Sequence, residues 1–162
     1  TPTPSGSLVS LFNGSSTPTV QNVHDSRQVQ LGVRFQTSRS GKVTAIRFYK
    51  PSSDVGPHVV SLWSSGGNLL ASTASTSETA SGWQQVNLPS PVTLSTGTTY
   101  IASYHTSNYY SANADYFARA VSSGPLTAAS GSNGVYIYAN SSTFPNLSYK
   151  STNYWVDLVF SY

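Results

Sequence analysis

The sequence contains no cysteine and no methionine, and only 8% of its 162 residues are charged. Without cysteine there is no disulfide framework, no thiolate metal site and no thiol nucleophile. A chain without either sulfur residue offers nothing to the cysteine–methionine oxidation ladder, which suits an oxidising exterior, and a secreted, extracellular location is expected. Globular chains usually carry about a quarter charged residues, so solubility here must come from Ser, Thr, Asn, Gln and Gly. Long apolar runs are missing too. No stretch nears the roughly 18 residues that a membrane helix requires, and no membrane partner is expected. Eight Lys and Arg face five acids, for a formal net charge of +3. Those cations (Arg27, Arg34, Arg39, Lys42, Arg47, Lys50, Arg119 and Lys150) form no run. Nucleic-acid binders concentrate theirs, so no nucleic-acid partner is expected either.

Catalytic signatures are also absent. The acids are Asp25, Asp54, Glu78, Asp115 and Asp157, and nothing in the sequence pairs two of them. Glycoside hydrolysis needs two carboxylates about 5–9 Å apart. There is no Gly-x-Ser-x-Gly elbow and no His-Glu-x-x-His pattern. The expectation is a chain with no catalytic residues and no required cofactor. Structural calcium takes about six to eight oxygens. No Asp-x-Asp-x-Asp loop supplies them, which leaves Asp25, Asp54 and Asp157 as isolated candidate anchors.

What the chain does have is β signal. Residues 1–7, Thr-Pro-Thr-Pro-Ser-Gly-Ser, have the composition of a semi-rigid linker and are expected to be the tail of one, joining this domain to an upstream catalytic domain. From residue 8 to 162, short alternating runs recur between Gly, Pro, Ser, Asn and Asp clusters. That is the pattern of an all-β sandwich of two antiparallel sheets, of jelly-roll or immunoglobulin-like topology. Strands are expected over 8–12, 31–36, 43–50, 58–63, 69–72, 84–88, 99–105, 135–138 and 154–160, with a hairpin turn at Ser65-Gly66-Gly67-Asn68. A single domain, monomeric, is the expectation.

Strand parity then assigns faces. Val60 and Leu62 point in, placing Trp63 on the other face. Val135 and Ile137 point in, placing Tyr136 and Tyr138 outward. Val156, Leu158 and Phe160 point in with Tyr154, placing Trp155 and Asp157 outward. Trp83 takes outward parity ahead of Val86 and Leu88. The residue excluded from the core is repeatedly a large ring, in a chain with eleven Tyr and three Trp. Such rings cover the C–H faces of sugars at little cost in rotamer entropy. Trp155, Tyr136, Tyr138 and Trp63 are therefore the expected stacking residues. Tyr104, His105, Tyr109, Tyr110 and Tyr116 form an expected loop-borne contact surface, with Lys50, Arg47 and Asn153 as hydroxyl partners. The expected partner is a polysaccharide. Because the cations are scattered, a neutral β-glucan of the plant cell wall is the expected ligand. A spacer or protein-interaction domain that binds no sugar fits the sandwich and its polar surface equally well, but not the recurrence of outward rings.

The ordered series Leu31-Gly32-Val33-Arg34-Phe35, Ile46-Arg47-Phe48-Tyr49-Lys50, Ser61-Leu62-Trp63-Ser64, Ala80-Ser81-Gly82-Trp83-Gln84, Gly97-Thr98-Thr99-Tyr100, Asn133-Gly134-Val135-Tyr136 and Asn153-Tyr154-Trp155-Val156-Asp157 resembles a bacterial module family catalogued as a domain of unknown function. Its members are attached to secreted glycoside hydrolases and other large extracellular proteins. The resemblance runs from about Leu11 to Phe160. It implies a β-sandwich resembling carbohydrate-binding modules, with an accessory role beside a carbohydrate-active catalytic domain, and it names no ligand. One departure is Gln30, where the family pattern leads to an acid.

Overall fold

Alternating apolar residues between turn signals give thirteen strands in the computed structural model, which describes residues 6–162. They are β1 (Leu8–Val9), β2 (Val23–His24), β3 (Val29–Thr37), β4 (Gly41–Lys50), β5 (Val59–Ser64), β6 (Leu69–Ala74), β7 (Gly82–Leu94), β8 (Tyr100–Thr106), β9 (Tyr109–Tyr110), β10 (Val121–Ser123), β11 (Leu126–Ala128), β12 (Gly134–Tyr138) and β13 (Val156–Ser161). A 3₁₀ turn at Tyr116–Ala118 is the one helical element among the described residues, and no helix there is long and apolar enough to cross a membrane. Residues 1–5 of the expected linker lie outside the described residues. Ser7 exchanges two backbone hydrogen bonds with Tyr162.

Two antiparallel sheets pack face to face, an all-β sandwich. The smaller runs β1-β13-β4-β7; the larger runs β10-β11-β3-β8-β5-β6, with β12 also paired to β3. The two-stranded ribbon β2-β9 stands apart. Between the sheets lie Leu31, Val33, Phe35, Val43, Ile46, Phe48, Val60, Leu62, Leu158 and Phe160, all buried. Ser64 and Asn68 close the β5–β6 hairpin through a backbone hydrogen bond. Gly67 there has a φ of 91° that a side chain rarely tolerates.

Parity identifies the alternation but not always the face. In β5, Val60 and Leu62 enter the core as expected, yet Ser61 and Trp63 are buried as well. Trp63 packs with Ile101, Val135 and Phe144 in a second, smaller cluster on the outer surface of the large sheet. Its indole N–H donates to Ser103 Oγ at 2.8 Å. Chain that follows β12 covers that surface, and this cover removes Trp63 from solvent. For β12 the faces are reversed. Tyr136 pairs with Leu31 and Tyr138 with Val29, and partners across a ladder share a face. Both tyrosines therefore lie on the inner side, packed against the main core, while Val135 joins the outer cluster.

Trp155 is likewise internal, 2% exposed. It precedes β13 in a left-handed conformation with φ 59°, which breaks the alternation on which its outward assignment rested. Asp157 keeps outward parity but is fully buried, because the chain at Leu11 and Phe12 crosses over it and both backbone N–H groups donate to its carboxylate.

Candidate functional site

The reversed faces of β12 help to form an aromatic cavity. β12 borders β3, and on its other side makes only an isolated bridge to Leu147. Its inner-face rings therefore hang at an open edge of the sandwich. Tyr154, just ahead of β13, and Tyr110, in β9, meet them there. The result is a pocket of about 260 Å³ with Val29 and Leu31 at its buried base and Tyr110, Tyr136, Tyr138, Tyr149 and Tyr154 around it. Tyr149 is 56% exposed and stands at the rim. The rings meet edge to face, Tyr136 with Tyr138 at 5.8 Å, Tyr136 with Tyr154 at 6.3 Å and Tyr110 with Tyr154 at 6.1 Å between centroids. This volume lies just below the roughly 300–1,000 Å³ of pockets for drug-sized ligands, a size for one ring at a time.

The pKa values of three of these tyrosines, Tyr110, Tyr138 and Tyr154, are raised. Burial, then the Asp25 carboxylate and the neighbouring tyrosines, pushes the Tyr110 hydroxyl up to about 12. Burial, with Tyr110 next, drives Tyr154 higher still. Tyr138 is raised first by its own hydrogen bond, donated to Asp25 Oδ2 at 2.5 Å, and then by burial; Arg27 opposes both. The hydroxyls of Tyr110 and Tyr136 make no hydrogen bond to another described residue. A phenol of this kind both donates and accepts, so the pocket combines apolar ring surface with free polar tips.

A second depression of about 430 Å³ adjoins it, lined by Ser26, Arg27, Gln28, Tyr138, Ala139 and Asn140. Tyr138 belongs to both. The Arg27 guanidinium lies 3.5 Å from the centroid of the Tyr138 ring, a cation–π contact.

Of the residues expected at a contact surface, Tyr110, Tyr136 and Tyr138 meet here. Tyr109, in the β2–β9 ribbon beside Tyr110, does not line the pocket, and its ring lies tilted against His24 at 5.0 Å between centroids. The others are elsewhere. Tyr104 is fully buried and stacks on Phe48 at 4.4 Å. Asn153 is buried and accepts the backbone N–H of Trp155 at 2.7 Å. His105 lies on the outer face of the large sheet, half-buried, against the Ala139 carbonyl at 2.8 Å. Tyr116 joins a separate cluster with Phe12, Trp83 and Trp155. Arg47 packs over Trp83 there and pairs with Asp157 at 3.2 Å. Lys50 is buried, donating to the Thr79 carbonyl and pairing with Glu78 at 3.1 Å. Sequence reasoning missed Tyr149, which sits in an irregular segment without periodicity, and Tyr154, whose inward parity hid its place at the mouth of the core.

It also missed a buried ionic cluster. His58 lies between Glu78, 2.8 Å from Nδ1, and Asp54, 2.9 Å from Nε2, and Lys50 adds a second cation to Glu78. Burial alone would lower the His58 pKa, but the hydrogen bonds and charges of Asp54 and Glu78 hold it above the usual 6.5. For Glu78 burial works upward, and Ser75, His58 and Lys50 together hold the carboxyl below its usual value. Both acids are thus paired with cations, Asp54 with His58 and Glu78 with His58 and Lys50. The signal was hidden because Glu78 lies twenty residues from His58. Burial pushes Asp157 up to about 6 against the donors of Leu158, Phe12 and Leu11 and the charge of Arg47.

Each of the three candidate calcium anchors faces donors of the protein itself. Asp157 is surrounded by N–H donors and Arg47. Asp54 faces His58 and the Thr106 hydroxyl, and Asp25 faces the Tyr138 hydroxyl and the Arg27 N–H. No cluster of three His, Asp or Glu that could hold a metal occurs among the described residues. Gln30, the departure from the family pattern, is buried and donates to Ser103 Oγ at 2.8 Å.

Comparison with known proteins places the chain. The model of the family Domain of unknown function (DUF4082) matches residues 15–156, and the chain belongs to that family. No curated protein matches the sequence. Among solved structures, 85% of this chain superposes on the crystal structure of the cysteine protease and lectin-like domains of Cwp84, a surface layer associated protein of Clostridium difficile, with a TM-score of 0.53 and 16% identity. The likeness is one of fold, and this chain covers 33% of that one.

Proposed function

We propose that this member of the DUF4082 family is a non-catalytic polysaccharide-binding module and that the tyrosine pocket at the sandwich edge holds a sugar ring. The observation that carries the reading is the convergence of five tyrosines on one open cavity, with hydroxyls of Tyr110 and Tyr136 free of partners among the described residues. Ring faces suit the C–H surface of a pyranose, and tyrosine hydroxyls donate to and accept from its hydroxyls. Base stacking on such rings contributes about 1–3 kcal/mol each; a few contacts at the low end give dissociation constants of roughly millimolar to micromolar order. A fold shared with a chain that contains a lectin-like domain supports the same reading. Its role would be to raise the effective concentration of an attached, secreted catalytic domain on its substrate.

Affinity electrophoresis tests it, with gels containing β-glucan, xyloglucan, xylan, mannan, a soluble chitin derivative or alginate. Retardation by at least one polymer is expected, and Tyr149→Ala should reduce it with an unchanged melting temperature, since that ring is largely exposed. Migration unaffected by every polymer would overturn the proposal and leave the exposed Leu147 and Tyr149 to a protein partner.

A further inference from the structure

Resting on that reading, we propose that the polysaccharide is anionic: a carboxylate-bearing unit, a uronate, lies in the depression beside Tyr138 and is gripped by Arg27. The neutral glucan expected from the sequence rested on cations scattered along the chain, but the fold sets Arg27 in the depression adjoining the pocket and Lys150 beside its rim residue Tyr149. Arg27 is exposed and stacked on Tyr138, and it makes no ion pair with any described residue. Lys150 lies beside the rim residue Tyr149, its Nζ 5.2 Å from the centroid of that ring, and it too is unpaired among the described residues.

The one acid against the pocket is Asp25, and both its oxygens are occupied. One accepts the Tyr138 hydroxyl and the other the backbone N–H of Arg27. Asp115 approaches Lys150 through the backbone, its N–H donating to the Lys150 carbonyl. The guanidinium is therefore held over the Tyr138 ring and close to its hydroxyl, while its N–H fork has no carboxylate partner among the described residues. An edge-on fork of this kind matches a carboxylate with two parallel hydrogen bonds. Because Tyr138 lines both depressions, a glycan occupying the tyrosine pocket must pass this ring to enter the second. Its next unit then meets Arg27, Asn140 and Gln28. A neutral unit would leave the cation unmatched; a uronate would satisfy it.

Calorimetric titration of the intact protein decides the matter, using an oligogalacturonate, an oligomannuronate and the carboxyl-reduced form of each at the same length. At least one uronate should bind at least about fivefold tighter than its reduced counterpart. That gap should narrow as salt rises. Arg27→Gln should close most of it, whereas Tyr149→Ala should weaken acidic and reduced forms alike. Equal binding of acidic and reduced forms, or a gap untouched by Arg27→Gln, would overturn the anionic assignment while leaving the tyrosine pocket as the site. If none of these oligomers binds and no gel polymer retards the protein, the pocket reading itself fails.

Discussion

Trp155 illustrates how a single residue is committed. Its indole N–H donates to Asn113 Oδ1 at 2.8 Å, its backbone N–H to Asn153 Oδ1 at 2.7 Å, and its ring contacts Phe12, Trp83 and Tyr116. A left-handed backbone is costly for a bulky residue, and these contacts hold it there. Trp155→Ala should cost about 3–5 kcal/mol by the loss of a buried ring, read as a lowered denaturant midpoint; an unshifted midpoint would contradict the packing. The pocket tyrosines should behave differently. Tyr136→Phe removes one free hydroxyl and leaves the ring, so polysaccharide affinity should fall by about 0.5–1.5 kcal/mol, with little change in melting. Titration of wild type and variant against the same retarding polymer measures it.

β12 carries the site because of where it begins as much as what it contains. Gly134 pairs with Val33, and a Cβ there would lie 1.6 Å from the Thr152 carbonyl oxygen. That approach docks the segment bearing Tyr154 beside the strand bearing Tyr136. Gly134→Ala should destabilise by more than about 2 kcal/mol and loosen the pocket with it, measurable by chemical denaturation and by faster amide exchange in β12. The longer strands were legible because each carries several alternating apolar residues. β2, β9, β10 and β11 were not, being two or three residues long; β2, β9 and β11 depend on partners distant in sequence, and β10 only extends β11 as a short hairpin. The Pro89-Ser90-Pro91 break proved to lie within β7. Its ladder with β4 slips between Val43 and Ala45, and prolines are accommodated at such irregularities because no ladder N–H is needed.

At the scale of the molecule, the ionic cluster of Lys50, Asp54, His58 and Glu78 ties β4, the Pro51–His58 turn region and the approach to β7 together. His58 has a raised pKa, so its contribution is complete below the usual 6.5 and is lost as pH rises through the elevated value. Glu78, lowered, contributes above its usual 4.5 and loses that contribution as pH falls through the depressed value. Thermal melts above pH 7 should therefore show a falling melting temperature in the wild type. Asp157, at about 6, has largely titrated by then. His58→Gln should be less stable at pH 6.5 and lack that alkaline decline; parallel curves would mean that His58 is neutral in the fold.

The sequence by itself determined the class of fold, the order of its long strands, the absence of thiol chemistry and the wealth of tyrosine. All of these follow from composition and a period of two along single strands, which are local properties. Which rings face solvent was decided only in three dimensions. Trp63 and Trp155 carry outward parity and are buried because other chain segments cover them. Tyr136 and Tyr138 face inward and yet line a cavity because β12 lies at an open edge of the sandwich. Alternation fixes that successive side chains oppose one another, but only the packing of one sheet on another, and of loops on both, fixes which side is covered. The same packing sets Arg27 on Tyr138 and Lys150 on Tyr149, two rings of one pocket, although the cations are 123 positions apart in the sequence.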